Sequence, residues 1–170
     1  MSAAAVIDSL EFARAEEELR GTLPVVGLKR LEDILFDSTG ALSYVLSGGR
    51  DELERPRLEL KIQGPLHLQC QRCLERLDYA LDVSSMLIVV PEGTRLPDEI
   101  DDPEGPDTIE ANPELDVAAL IEDEVLLSLP LAPRHAEGVC ESRLEQQDEA
   151  AEEASAFAQL ATLKRPPNNR

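Results

Sequence analysis

Leu58, Leu60 and Ile62 alternate with Glu59, Lys61 and Gln63, and the alternation resumes at Leu66 and Leu68 after Gly64-Pro65. A period of two puts every apolar side chain on one face, so the segment predicts a strand buried on one side only. Neighbouring segments repeat the pattern. Leu42, Tyr44 and Leu46 alternate with Ser43, Val45 and Ser47, and Gly48-Gly49 reads as a turn. Leu77–Val83 alternates again and leads into the apolar run Met86–Val90. Three long strands joined by short turns predict an antiparallel β-meander whose first two strands turn polar side chains to water.

Helical spacing appears on both sides of the strands. Ser9–Leu19 offers an N-cap serine and an apolar set at helical period, with Gly21 as its stop and Thr22–Val26 as a short strand. Leu28, Leu31, Ile34 and Leu35 predict a second short helix. The clearest helix is Leu115–Leu129, with Leu120, Ile121, Val125 and Leu129 as its apolar face, Val117 and Leu127 flanking it, and Pro130 and Pro133 ending it. The expected class is therefore α+β: an antiparallel β-meander with short N-terminal helices and one main helix in the second half. Residues 1–140 are expected to form a single domain, with 91–114, which holds five prolines and a run of acids, as an acidic loop. Residues 141–170 are expected to be an acidic linker with a short C-terminal helix and tail. There Phe157, Leu160 and Leu163 make one small apolar face before Lys164-Arg165.

Composition narrows the class further. A hydrophobic fraction of 42% can build a core, but 3% aromatic and no Trp make it aliphatic. Fibrous, collagenous and wholly disordered chains are excluded. Apolar runs such as Met86–Val90 fall far short of the roughly 18 residues a membrane span needs. Acids come early in MSAAAVIDSLEFARAEEELR and no basic stretch precedes an apolar run, so no signal or transit peptide is expected. The expected location is cytoplasmic.

A formal charge of -19 opposes casual binding to nucleic acid, because phosphate binding rests on counterions released around Lys and Arg. The charge is uneven. Residues 1–80 carry 10 basic and 14 acidic side chains, residues 81–163 carry 3 and 21, and residues 164–170 add three basic ones. RNA contact is thereby confined to the first half. Arg50, Arg55, Arg57, Lys61, Arg72 and Arg76, with Lys29-Arg30 before them, are the candidates for a basic strip on the sheet. Pairing with Asp51, Glu52, Glu54, Glu59 and Glu75 is the competing account of the same residues.

Three cysteines in a chain expected to be cytosolic argue against a disulfide scaffold. Cys70-Gln71-Arg72-Cys73 sits where one strand ends and the next begins, the setting of a zinc knuckle. A second half-site, His135 and Cys140, follows the proline-broken end of the main helix. Cys70, Cys73, His135 and Cys140 thus form a candidate Cys3His set for structural zinc; the alternatives are cysteines that simply pack, or a thiol–disulfide pair. The pair lacks the helix N-terminus that usually lowers the thiol pKa in redox proteins. His67 lies three residues before Cys70 on the same strand and is expected to point away. Hydrolase and phosphate-loop motifs are missing from the sequence. Asp98–Asp107 and Glu122-Asp123-Glu124 read as solvated carboxylates.

The run Leu68-Gln69-Cys70-Gln71-Arg72-Cys73 resembles the C-x-R-C signature of the bacterial YceD family, the large ribosomal RNA subunit accumulation proteins. So does Ile121–Pro130, followed by Pro133, His135 and Cys140, and so does Phe157–Lys164 at the end. These resemblances come in family order across positions 66 to 164, and the N-terminal third fits in layout. The resemblance implies a non-enzymatic cytoplasmic factor supporting accumulation of large-subunit (23S) ribosomal RNA. Its partner would be precursor rRNA, a basic ribosomal protein, or both. An acidic chaperone for a basic ribosomal protein is the alternative, and a thiol- or zinc-dependent enzyme a further one. After Cys73 the chain has Leu74 where zinc knuckles commonly have Gly.

Overall fold

Two strands set the frame. The computed structural model describes residues 5–94 and 106–140. In chain order the elements are β1 (Val6–Ile7), α1 (Ser9–Arg14), β2 (Glu18–Pro24), two 3-10 turns (Val25–Gly27 and Lys29–Leu31), β3 (Ala41–Arg50), β4 (Pro56–Gln69), β5 (Arg76–Val90), β6 (Asp107–Glu110), β7 (Leu115–Asp116) and α2 (Val117–Ser128). The linker, short helix and tail expected over 141–170 lie outside the described residues, as does 95–105 of the expected acidic loop. β4 and β5 run antiparallel from Gln69↔Arg76 at one end to Arg57↔Ile88 at the other. The alternation read from the sequence is the buried face of β4: Leu58, Leu60, Ile62, Leu66 and Leu68 are all fully inaccessible.

The main sheet has the order β2-β3-β4-β5-β6. β2 to β5 are antiparallel neighbours in sequence order, but β6 joins β5 in parallel, with Leu87↔Asp107 and Val90↔Glu110 in register. The sheet is mixed rather than purely antiparallel, and part of the expected acidic loop is a strand. β1 and β7 form a separate two-stranded ribbon, Val6↔Asp116 and Ile7↔Leu115.

Several boundaries shift for identifiable reasons. The cap of α1 is Asp8, whose carboxylate accepts from the Leu10 and Glu11 amides; Ser9 is buried and its hydroxyl accepts the Asn112 amide at 2.9 Å. The helix ends at Arg14, and Gly21 lies within β2, opposite Tyr44. The second expected helix is a pair of 3-10 turns that still bury Leu28, Leu31 and Leu35. Gly48-Gly49 is inside β3, and the turn falls later, closed by Asp51 and Arg55. Gly64-Pro65 does not interrupt β4. Gly64 has φ +155, and a Cβ there would stand 2.9 Å from the Ala41 carbonyl oxygen. Beyond the last β3 pair, Ser43↔Gln63, residues Ile34–Phe36 take over the edge of β4 through Phe36 N–H to His67 O and Gln69 N–H to Ile34 O.

α1 and α2 cover the apolar face. Phe12 and Ala13 of α1 enter the same cluster as Leu42, Leu46, Leu60 and Ile62, joined by Val117, Leu120, Ile121, Val125 and Leu129 from the α2 end. Asp116 caps α2 by accepting from the Ala118 and Ala119 amides. Glu124, nearly buried, is held by the Ser85 hydroxyl, so its burial leaves no bare carboxylate. Arg30 ties the second 3-10 turn to α2 through its amide to Glu122 and its guanidinium to Asp123.

His67 lies on the outer side of β4 and does point away from the cysteines. Its Nδ1 is 2.8 Å from Asp37, which also accepts from the Thr39 hydroxyl and amide, and its Nε2 is 3.9 Å from Asp78. The Thr39 hydroxyl, then the imidazole and the Thr39 amide, outweigh partial burial and hold the Asp37 carboxyl well below its usual range. A depressed folded pKa gives stability that is present above the unfolded value of about 3.9 and lost as pH falls through the folded one. Asp37→Asn should therefore flatten the loss of stability on acidification below about pH 5, read by urea unfolding at a series of pH values. Parallel acid profiles in the two proteins would count against it.

Candidate metal centre

The β4–β5 connection is a tight knuckle. Cys70 N–H donates to Glu75 O at 3.0 Å and Leu74 N–H to Cys70 O at 2.8 Å, which folds Cys70 and Cys73 toward one point. Leu74 closes it with φ +63. A non-glycine residue in that region costs about 1–2 kcal/mol. Leu74 thus takes the backbone conformation for which such knuckles favour Gly, and its side chain stays exposed.

The second half arrives from α2. Leu129 leaves the helix in an extended conformation ahead of Pro130, and the chain turns back across the knuckle. Gln71 N–H donates to Pro133 O at 2.9 Å, and an Arg72 guanidinium N–H donates to Cys140 O at 3.2 Å. His135 Nε2 donates to Arg76 O at 2.9 Å. A carbonyl can only accept, so that bond places a proton on Nε2, and in a neutral ring Nδ1 then carries the lone pair. Nδ1 faces the cysteines, 3.5 Å from Cys73 Sγ.

Four donor atoms converge as a result. Those of Cys70, Cys73, His135 and Cys140 all lie within 4.8 Å of one another, and Cys70 Sγ and Cys140 Sγ are 3.8 Å apart. The three cysteines are buried and unbridged, and they form a cluster apart from the main core, with Leu77 packed against it. Burial pushes the Cys70 thiol up, but the amides of Cys73, Arg72 and His135, which donate to its sulfur, outweigh burial and hold it down. Burial and the neighbouring Cys73 and Cys70 sulfurs push the Cys140 thiol up. Neither cysteine of the C-x-x-C starts a helix, and Cys70 is fully inaccessible, so the setting is unlike that of an exposed redox pair.

The basic residues are distributed differently from a single strip. Arg50, Arg55, Arg57 and Lys61 lie at or near the β3–β4 end, and Arg72 and Arg76 at the knuckle. Along β4, Arg57 stands about 40 Å and Lys61 about 26 Å from Gln69, the partner of Arg76, at ~3.3 Å per residue. Arg55 pairs with Asp51, Arg57 and Lys61 share Glu59, Arg50 reaches the Glu54 carbonyl, and Arg76 pairs with Asp78. Lys29 and Arg30 lie in a 3-10 turn. Arg134 was not among the sequence candidates; it is exposed beside the knuckle, and its only sequence signal is that it precedes His135.

The family model for the large ribosomal RNA subunit accumulation protein YceD matches residues 58–164, which takes in most of β4, all of β5 and α2, and both halves of the four-donor cluster. The Large ribosomal RNA subunit accumulation protein YceD of Haemophilus influenzae is 29% identical over 167 residues, covering 93% of this chain and 94% of that protein. No solved structure matches. No helix among the described residues is long and apolar enough to cross a membrane. With the family's model matching well over half of the chain and a relative aligned along nearly all of it, this chain belongs to the YceD family.

Proposed function

We propose that the chain is a non-enzymatic ribosome-biogenesis factor that supports accumulation of large-subunit rRNA by binding precursor RNA through the knuckle end of the sheet. Membership of a family named for that accumulation supports the role. The observation that carries the binding mode is the grouping of Arg72, Arg76 and Arg134 on two chain segments locked together by the Gln71–Pro133, Arg72–Cys140 and His135–Arg76 bonds. A frame held by cross-segment bonds presents cations at fixed spacing, which suits phosphates along a folded RNA. The Cys3His centre enters this reading as the frame's metal-held core, not as a reactive site. The acidic second half keeps binding transient through repulsion of phosphate.

The test uses the tagged full chain and precursor rRNA across a salt series. Replacing Arg72, Arg76 and Arg134 together by Gln should weaken binding and flatten the log–log salt dependence by about 2, near 0.7 for each lost contact to single-stranded RNA. The set Arg50, Arg55, Arg57 and Lys61 changed to Gln serves as the comparison and should alter it less. Equal or greater loss in the comparison set would move the contact to the other end of the sheet. Recovery of one basic ribosomal protein without RNA would favour the chaperone role instead, for which the concentration of acids in 81–163 is the motive.

A further inference from the structure

We propose that Cys70, Cys73, His135 and Cys140 bind one zinc ion per chain in a closed tetrahedral site that joins the β4–β5 knuckle to the segment following α2.

The distances point to an ion rather than to packed thiols. Zinc bonds of about 2.3 Å to sulfur and about 2.0 Å to nitrogen put tetrahedral ligands about 3.8 Å apart for a sulfur pair and about 3.5 Å for sulfur and nitrogen. Cys70 Sγ and Cys140 Sγ are 3.8 Å apart, and Cys73 Sγ and His135 Nδ1 are 3.5 Å apart. A disulfide would need sulfurs at about 2.05 Å.

The surroundings match a metal-bound state as well. His135 has its outer nitrogen committed to the Arg76 carbonyl, the arrangement that orients a ligating imidazole. Three thiolates and a neutral imidazole on a divalent ion leave one net negative charge, and the guanidinium of Arg72 is anchored one residue's backbone away, on the Cys140 carbonyl.

Donor chemistry selects the ion. Calcium and magnesium take oxygen ligands, of which this set has none. A tetrahedral sulfur-rich set with one imidazole suits zinc, and four protein donors leave no open position for water, so the ion would hold structure and not activate a substrate. The inference rests on the functional reading only for what the tip presents; the metal itself stands on the donor geometry.

The full chain, purified without chelator or polyhistidine tag, should contain about one zinc by elemental analysis. Cobalt loaded in its place should give the intense visible bands of a tetrahedral thiolate site. Cys73→Ser should weaken zinc binding by more than roughly 100-fold in a competition assay with a chromophoric chelator. His135→Cys should keep stoichiometric zinc, which separates lost coordination from lost folding. A folded chain that holds less than about a tenth of an equivalent after incubation with zinc would overturn the proposal, as would thiols that react at the same rate with and without the ion. A chain that takes up no zinc when offered it and still recovers precursor rRNA sinks the zinc site alone, whereas a zinc-loaded chain that recovers none sinks the functional reading alone.

Discussion

Gly48→Val is expected to destabilise the protein by about 2–5 kcal/mol, a large share of the roughly 5–15 kcal/mol that holds a domain of this size. A Cβ at position 48 would stand 2.3 Å from the Phe12 carbonyl oxygen and 2.9 Å from Ala13 Cα. Both are backbone atoms of α1 and cannot rotate away. The helix would have to lift, drawing Phe12 and Ala13 out of the core and stretching the bond from Gly48 N–H to Glu17 O, now 2.7 Å. Overpacking costs about 1–3 kcal/mol and partial exposure of a phenylalanine about 1–2 more. Gly49→Ala is the control, because its Cβ would meet only the Arg57 side chain, at an ordinary 3.5 Å. The urea midpoint should fall steeply for the first and move little for the second. Equal shifts would show that strand propensity, and not the approach of α1, governs the pair.

That same pair marks the edge of what the sequence discloses. Adjacent glycines after an alternating strand read as a turn, because the chain carries no local sign that a helix thirty-five residues earlier will lie across them. Gly21 misleads in the same way: it looks like a helix stop and is a strand position facing the Tyr44 ring. By contrast, Leu58–Leu68 and Leu77–Val83 were legible because one buried face forces period two on the sequence. β6 was not. Asp107-Thr108-Ile109-Glu110 has acids at both ends, and it is made a strand by the open edge of β5 rather than by its own propensity.

The candidate site divides along similar lines. Each half of the Cys3His set showed in its spacing, since both halves are short and local. That the halves meet depends on the β4–β5 register and on where α2 delivers its last turn, which no spacing encodes. Leu74 counted against a knuckle when only residue type was visible; its φ of +63 shows that the turn geometry is met without glycine. The candidate basic residues divide into two groups for the opposite reason. Residues close in sequence order along a hairpin can stand at opposite ends of a fourteen-residue strand.

Removing zinc from the proposed site is expected to open the tip and leave the sheet closed. Structural zinc supplies about 10–16 kcal/mol of apparent binding free energy in small peptides, far more than three buried cysteines could contribute by packing. Here that energy would be spent locally, because the cysteine cluster is separate from the main core and Leu77 packs against both. With a chelator present, amide protection should fall by at least about 100-fold at Gln71 and Leu74, whose partners are Pro133 O and Cys70 O. Amides in Leu58–Leu66 and Leu120–Val125 should keep theirs, since the residues beneath them belong to the aliphatic core. Hydrogen exchange with and without chelator reads both regions in one sample. Uniform loss along the chain would mean that the ion holds the whole fold together. Unchanged exchange at the tip would mean that Gln71–Pro133, Arg72–Cys140 and His135–Arg76 hold it unaided, and the metal would then have no structural part in presenting Arg72, Arg76 and Arg134.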